Sequence, residues 1–327
     1  LLDTLTQKNL ENLLGWIMKL NLIILIIILA FAFSMVSCGE NKNITNPISV
    51  DTIGVAIGTN ETFDVVTWNI ESFPKHNPET TNLLKTLLPN LKADCIAIQE
   101  ISSIGSLGQL VSQIPNWSYL VSGDGDGYTT VGILYNNLTV QVDSFATIMP
   151  GMSNPFPRAP LLIKLHWQGQ EIILISVHLK ALGDNYIDET DNYDEEVRRR
   201  YACQLLDQYV ADNFSDSKVV ILGDMNDQIQ EPTSTNVFLS FINKPLEYLF
   251  TDMSIAQNYN SQTWSYRSSH IDHILITNEL IDAFNASNRY VKTIQIENYV
   301  SGGWNNYDAL ISDHRPVGAR FKFDFVK

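Results

Sequence analysis

Repeatedly in this chain, an apolar, β-rich run stops on a side chain that can bind a metal or move a proton. Asn69 follows Val65-Val66-Thr67-Trp68, and Glu100 follows Cys95-Ile96-Ala97-Ile98-Gln99. His178 ends Ile172-Ile173-Leu174-Ile175-Ser176-Val177. Asp224 and Asn226 follow Val219-Val220-Ile221-Leu222-Gly223. Asp272 opens another strand pattern, and Asp313-His314 precede the last one. Strand ends place side chains at the rim of a sheet, where a rigid scaffold presents them to a cleft. One polar strand end says little. Their recurrence, always as Asn, Asp, Glu or His, is harder to dismiss and marks them as candidate site residues.

The pattern between these points is α/β. Helical apolar spacing covers 80–91, 106–114 and 194–213; in the last, Val197, Tyr201, Leu205 and Tyr209 recur at four-residue spacing and predict one buried face. Strands are expected at 63–69, 94–99, 117–121, 129–135, 138–145, 161–167, 171–178, 219–222, 271–277 and 317–325, with Gly, Asn and Pro at many of the turns. Phe321, Phe323 and Phe325 alternate as in a half-buried strand. Many strands with interspersed helices predict packed sheets flanked by helices. A length of 327 residues allows one large domain or two small ones. One domain over 63–327 is favoured, because the polar strand ends run from Asn69 to His314 without a linker.

The formal charge of -15 excludes a broad basic face for polyanions. An anionic substrate must therefore be met by a local device, a bound cation or a single Arg. The acidity also suits a carboxylate pocket that collects divalent metal, although solubility alone accounts for it equally. Cys38, Cys95 and Cys203 match no zinc spacing, and no disulfide framework is expected.

The first residues read as an address. Met18-Lys19 precede the apolar stretch 22–36, short for a membrane span and suited to a signal-peptide core. Ser34-Met35-Val36-Ser37-Cys38 resembles a bacterial lipobox with Met in place of the usual Leu. The resemblance implies cleavage before Cys38, lipid attachment to its thiol and a place in the cell envelope, anchored to a membrane. A plain anchor helix is the other reading. Residues 1–37 are thus leader, with 1–17 upstream of the start at Met18. Residues 38–62, rich in Asn, Thr and Gly, are expected to form a tether.

Thr67-Trp68-Asn69-Ile70, Gln99-Glu100, Ser176-Val177-His178-Leu179, Gly223-Asp224-Met225-Asn226-Asp227, Ser269-His270-Ile271-Asp272-His273 and Ser312-Asp313-His314-Arg315-Pro316-Val317 resemble, in this order, the motif set of the endonuclease/exonuclease/phosphatase superfamily. The resemblance covers about residues 63–325. It implies a four-layer α/β/β/α sandwich of two mostly antiparallel sheets, probed by its substrate at one edge. It also implies a monomeric, Mg²⁺-dependent phosphoesterase, with Mn²⁺ or Ca²⁺ as other ions. By the same resemblance Glu100 is the main metal ligand, with Asn69 beside it and Asp313 contributing. Asp224, helped by Asn226, orients the attacking water; Asp272 fixes the tautomer of His314; His178 stabilises the transition state. Whether Asp224 or His314 is the base stays open. Arg158, in Phe156-Pro157-Arg158-Ala159-Pro160, resembles a phosphate-binding Arg, and a surface Arg in a Pro-rich loop is the equal alternative.

The chemistry suits these residue types. Phosphate ester hydrolysis adds charge to anionic oxygens, which a hard cation held by carboxylates stabilises. The leading substrate is a phosphodiester, with nucleic acid foremost. A sphingomyelinase or inositol-phosphate phosphatase of the same chemistry is the alternative, and an inactive surface-binding module is the alternative from another class. Taken singly, His178 reads as a core histidine, and Asp272 and Asp313 as turn residues. His270 and His273 are expected on opposite strand faces. Asp124-Gly125-Asp126-Gly127 reads as a hairpin turn rather than a calcium loop, and Trp264 and Tyr266 as core-edge aromatics or base-stacking ones.

Overall fold

The computed structural model describes residues 49–123, 125–258 and 264–324. The segment expected as a leader, Cys38, Asp124 and Phe325 lie outside them. Strands run as β1 Phe63–Phe73, β2 Cys95–Ile101, β3 Trp117–Val121, β4 Thr130–Asn136, β5 Val140–Thr147, β6 Leu161–Trp167, β7 Gln170–His178, β8 Val219–Asp224, β9 Tyr248–Phe250, β10 Asp272–Thr277, β11 Val291–Thr293 and β12 Val317–Phe321. Helices are α1 Glu79–Asn90, α2 Ile104–Val111, α3 Glu195–Asn213, α4 Leu239–Ile242, α5 Met253–Ala256, α6 Ile281–Ala286 and α7 Gly303–Leu310. The strands build two six-stranded sheets, ordered β11-β12-β1-β2-β4-β3 and β5-β6-β7-β8-β10-β9. Only the β1–β2 and β7–β8 pairings are parallel, so both sheets are mixed and mostly antiparallel. The expected α/β/β/α sandwich is what forms.

Side-chain alternation sorts the apolar residues into three layers. On β1, Val65 points between the sheets, while Val66 and Trp68 point out to α1, α2 and α7. On β8, Val220 and Leu222 point between the sheets, while Val219 and Ile221 meet α3 and Phe238. Helix α3 starts on Asp194, whose carboxylate accepts from Val197 N at 2.8 Å. Its buried stripe is Glu196, Arg199, Cys203, Leu206 and Val210, with Ala202 beside it. This corrects the expected face: Tyr201 is exposed and Leu205 only half-buried. The four-residue spacing of bulky side chains marks the flank, because the side that meets the sheet also carries an ion pair.

Part of the segment 38–62, expected as a tether, packs on the domain. Val55 and Ile57 are buried in the outer core, and Ile57 N and Gly58 N donate to Leu91 O at 2.9 and 3.1 Å. Polar composition around two alternate apolar residues concealed that packing. Of the turn expected at 124–127, Asp124 is not described; Asp126 Oδ1 accepts from Tyr128 N and Thr129 N at 2.9 and 2.8 Å. Cys95 and Cys203 are free, buried thiols. Among the described residues, no helix is long and apolar enough to cross a membrane.

Asp64, fully buried at the start of β1, accepts from Thr59 N at 2.8 Å and from the Thr62 hydroxyl at 2.9 and 3.0 Å. Burial outweighs these bonds and pushes its carboxyl up to about 7. The folded state therefore binds this proton more tightly than the unfolded chain. Its contribution is full below about pH 4 and is lost as pH rises through about 7. Asp64→Asn, whose amide can serve the same partners, should flatten the fall of Tm between about pH 4 and 7, removing on the order of 1 kcal/mol per unit. Parallel Tm curves for the two proteins would refute this.

Candidate active site

The polar strand ends meet at one edge of the inter-sheet layer. In the second sheet, His178 of β7 pairs in register with Asp224 of β8, which pairs with Asp272 of β10. All three share the strand face of Leu174, Leu222 and Ile274, so the polar rung caps the apolar layer beneath it. In the first sheet, Asn69 stands in register with Gln99 on the same inward face.

Glu100 needs a further device, because alternation after Gln99 would turn it outward. Its φ is +62°, and the β2–β4 register shifts between Ile98 and Ile101. The irregularity re-aims the carboxylate into the cleft, a use of backbone strain seen at functional sites. Glu71 and Ser72, at φ +33° and +51°, bend β1 in the same way. Ser72 N then donates to Glu100 Oε2 at 3.0 Å.

Asn69 ties the two sheets. Its Nδ2 donates to Glu100 Oε1 at 3.0 Å and to Asp224 Oδ2 at 2.9 Å, while its Oδ1 accepts from Glu71 N at 3.0 Å. In this arrangement the Asn69 oxygen accepts from the backbone and its amide bridges two carboxylates.

His314 donates from Nδ1 to Asp272 Oδ2 at 2.8 Å, leaving Nε2 toward Asp224 Oδ2 at 3.8 Å. The Ser312 hydroxyl pins the segment, donating to Asn69 O at 2.6 Å and accepting from His314 N at 2.9 Å. The Tyr307 hydroxyl holds His314 O, and Trp68 Nε1 donates to that hydroxyl at 3.1 Å. The Tyr266 ring lies on the imidazole, centroids 4.6 Å apart. Burial alone would lower the His314 pKa, but Asp272 and Asp224 hold it up to about 10. Burial raises Asp224 to about 7 against the His314 charge. His178, with Nε2 at 3.5 Å from Asp224 Oδ2, is held well below its ordinary value by burial and by the charges of Arg158 and His314. The site thus sets a neutral imidazole and an imidazolium around one carboxylate.

Glu100, Asp313 and Glu71 line the same cleft of about 440 Å³, with Asn226, Asp227 and Tyr266. Asp313 N donates to Glu71 Oε2 at 2.9 Å. Burial, with Glu71 close by and only partly offset by His314, raises the Asp313 carboxyl to about 6. Carboxylate oxygens lining a cleft are the ligand type that a hard divalent cation takes. Glu71 escaped the sequence reading; it lies two residues past Asn69 on the same strand, which is the signal that could have found it.

Arg158, expected at a substrate phosphate, is held by protein groups. It is not among the cleft-lining residues. Its Nε meets Asp126 Oδ2 at 3.0 Å and Thr129 Oγ1 at 3.4 Å, and Nη1 donates to Leu179 O at 3.5 Å. Asn226, at φ +54°, donates from Nδ2 to Leu179 O at 3.2 Å and from its backbone N to Asp224 Oδ1 at 3.0 Å.

His270 and His273 do not diverge as expected. Both reach Asp252 Oδ2, at 2.9 and 2.6 Å, because His270 sits in the turn before β10 and escapes strand alternation. The three groups lie within 4.8 Å of one another, as do Asp224, Asp272 and His314. At the first cluster hydrogen bonds account for the imidazole nitrogens. Ser265 N donates to His270 Nδ1 at 3.2 Å, which leaves Nε2–H for Asp252, and His273 Nε2 donates to Asp227 O at 2.8 Å. Burial would lower the His273 pKa, but Asp252 raises it, so the cluster is a buried ion pair.

The endonuclease/exonuclease/phosphatase family model matches residues 66–314. The chain belongs to this family. Family folds among solved structures agree with the sandwich. D. rerio TDP2 complexed with single strand DNA product is 16% identical, with a TM-score of 0.59 over 81% of this chain and 100% of that one. The human Nocturnin catalytic domain with bound sulfate is 14% identical, with a TM-score of 0.54 over 82% and 97% of the two chains. A family protein from Bacteroides thetaiotaomicron is 13% identical, with a TM-score of 0.54 over 81% and 96%. A comparison with curated protein sequences gave no match. As in the family, the Asp and His groups of the cleft form a candidate metal and phosphoester site on a hydrolase fold.

Proposed function

We propose that the chain hydrolyses phosphodiesters with the help of a divalent cation, Mg²⁺ first. The supporting observation is the single rung His178–Asp224–Asp272 facing Glu100 and His314 across the cleft. Glu100 and Asp313 would hold the cation, with Glu71 beside them. When bound, it neutralises charge on the phosphoryl oxygens. Asp224 orients the attacking water and accepts its proton, since its carboxylate lies between two imidazoles and is held by Asn69 and Asn226. His314, kept as imidazolium by Asp272, donates from Nε2 to a phosphoryl oxygen or the leaving group. Neutral His178 donates to the same developing charge from the far side. Arg158 serves this site by setting Leu179 and the charge around His178 rather than by touching phosphate.

The substrate class we favour is nucleic acid, in short or single-stranded form. The nearby cations are all engaged: Lys75 with Glu71, Arg158 with Asp126, Lys180 with Glu195 and Arg267 with Asp313. A cleft walled by carboxylates repels a long polyanion, and that repulsion is screened by salt. Added salt should therefore speed attack on plasmid DNA relative to a dinucleotide, opposite to the usual loss of nucleic-acid binding with salt. We also propose, from residues 22–38 alone, that the domain is exported and lipid-anchored through Cys38 as a monomer.

The test is hydrolysis of plasmid DNA, RNA, dinucleotides, sphingomyelin and inositol phosphates with Mg²⁺ or EDTA. EDTA-sensitive cleavage of nucleic acid supports the proposal. Turnover of a lipid or inositol phosphate alone would keep the chemistry and replace the substrate. No turnover by folded protein would favour a binding module.

A further inference from the structure

Helix α3 carries a charged pair where a core-facing helix ordinarily carries apolar residues. Arg199 is 1% exposed and Glu196 is likewise 1% exposed. A buried guanidinium is costly unless its N–H groups are met. Arg199 meets them in two loops and one helix. Its Nε donates to Asp227 Oδ2 at 2.8 Å, and Nη1 donates to Lys180 O at 2.8 Å and Leu182 O at 2.6 Å. Its Nη2 pairs with Glu196 Oε1 at 3.1 Å. Glu196 Oε1 in turn accepts from Asn185 N at 2.9 Å. Gly183 passes so close to the Glu196 carboxylate that a Cβ would overlap it, and its φ of +124° independently calls for glycine.

The placement of these contacts matters more than their number. Lys180 and Leu182 belong to the segment that leaves β7 directly after His178. Asp227 belongs to the segment that leaves β8 directly after Asp224. The two segments are otherwise joined near the site by Leu179 N donating to Asp224 O at 3.0 Å and by Asn226 Nδ2 donating to Leu179 O. If α3 only needed to cover its sheet, apolar residues of similar volume would stabilise it as well or better. The guanidinium instead fixes two post-strand segments against each other at the cleft wall, which Arg199, Leu182, Gly183 and Asp227 help to line.

We infer that Arg199, braced by Glu196, is a positioning residue that sets His178 against Asp224. This deepens the phosphodiesterase reading and rests on it. Small misplacements of reacting groups are expensive in rate, about a hundredfold for 1 Å. The clamp should therefore act on kcat more than on KM, beyond any effect on stability.

The experiment uses the full chain in detergent, with Arg199→Met, Arg199→Lys and Gly183→Ala. Turnover of bis(4-nitrophenyl) phosphate with Mg²⁺ is measured well below the melting transition, beside amide hydrogen exchange. Folded Arg199→Met should lose about tenfold to a hundredfold in kcat with KM changed less than about threefold. Amides of 179–186 and 225–228 should exchange faster together. Gly183→Ala, which strains the same clamp with Arg199 intact, should show the same pattern more weakly. A folded variant with lower Tm, faster exchange and unchanged kcat would overturn the inference, as would unchanged exchange. If Arg199→Met does not fold, Arg199→Lys and Gly183→Ala decide by the same readouts. If the wild type itself fails to turn over the diester, the functional reading fails. Exchange then decides the clamp alone: joint acceleration of both segments upholds it, and its absence overturns it.

Discussion

His314→Ala should lower kcat by about a thousandfold, and adding Asp224→Ala should cost little more than the worse single change. Roughly 4 kcal/mol of barrier is at stake for such a factor. The expectation follows from the shared geometry. His314 Nε2 and His178 Nε2 both face Asp224 Oδ2, at 3.8 and 3.5 Å, so removing the charge of His314 or of Asp224 alters the proton held by the other. Groups that act as a unit lose their joint effect once. Multiplicative losses near a millionfold in the double variant would mean independent roles and would refute the arrangement. The pH profile carries the sign. Activity needs Asp224 as carboxylate and should rise through about pH 7, where burial has put its pKa. It needs His314 as imidazolium and should fall only toward about 10, where Asp272 and Asp224 hold it. Asp272→Asn removes the leading stabiliser of that charge, so its alkaline limb should move down; an unmoved limb would exclude His314 as the acid.

Glu100→Gln should abolish most activity at millimolar Mg²⁺, on the order of a hundredfold or more, and recover part of it as Mg²⁺ is raised. The amide keeps the volume and one oxygen, which can still accept from either Asn69 Nδ2 or Ser72 N, and an unchanged Tm without Mg²⁺ would show that the loss reports charge rather than misfolding. A second readout needs no substrate. A cation that binds only the folded state raises Tm with concentration. Wild-type protein should melt higher with Mg²⁺ than with EDTA, and Glu100→Gln should lose most of that increment. Equal increments in both proteins would move the cation away from Glu100.

Much of the site was legible because strand alternation alone builds the rung of His178, Asp224 and Asp272. Each ends or opens an apolar run, and inward parity carries it to the cleft. Glu100 was found through its motif, yet parity would have faced it outward; only a positive φ, which leaves no periodic trace, turns it in. The pairing of Arg158 with Asp126 was not legible, because Asp126 lies in a turn on another strand pair. The Asn69 bridge between Glu100 and Asp224 was not legible either, because residue type cannot say which end of an amide faces the carboxylates. The buried face of α3 was missed for a physical reason too. Glu196 and Arg199 look like solvated positions in sequence, and only their pairing across one helical turn makes them interior. His270 and His273 converge because a turn, not a strand, presents the first of them.

The division of the site between the two sheets has a consequence for how activity first arises in a newly made chain. The sheet of β7, β8 and β10 can align His178, Asp224 and Asp272 by its own register. Asn69 and Glu100 come from the other sheet, and His314 from the segment that leads into its β12. A folding species with only one sheet complete would hold half a constellation and bind no substrate productively. Catalytic competence is then a late-arriving property that marks the docking of the halves, so regained turnover should lag regained strand signal during refolding.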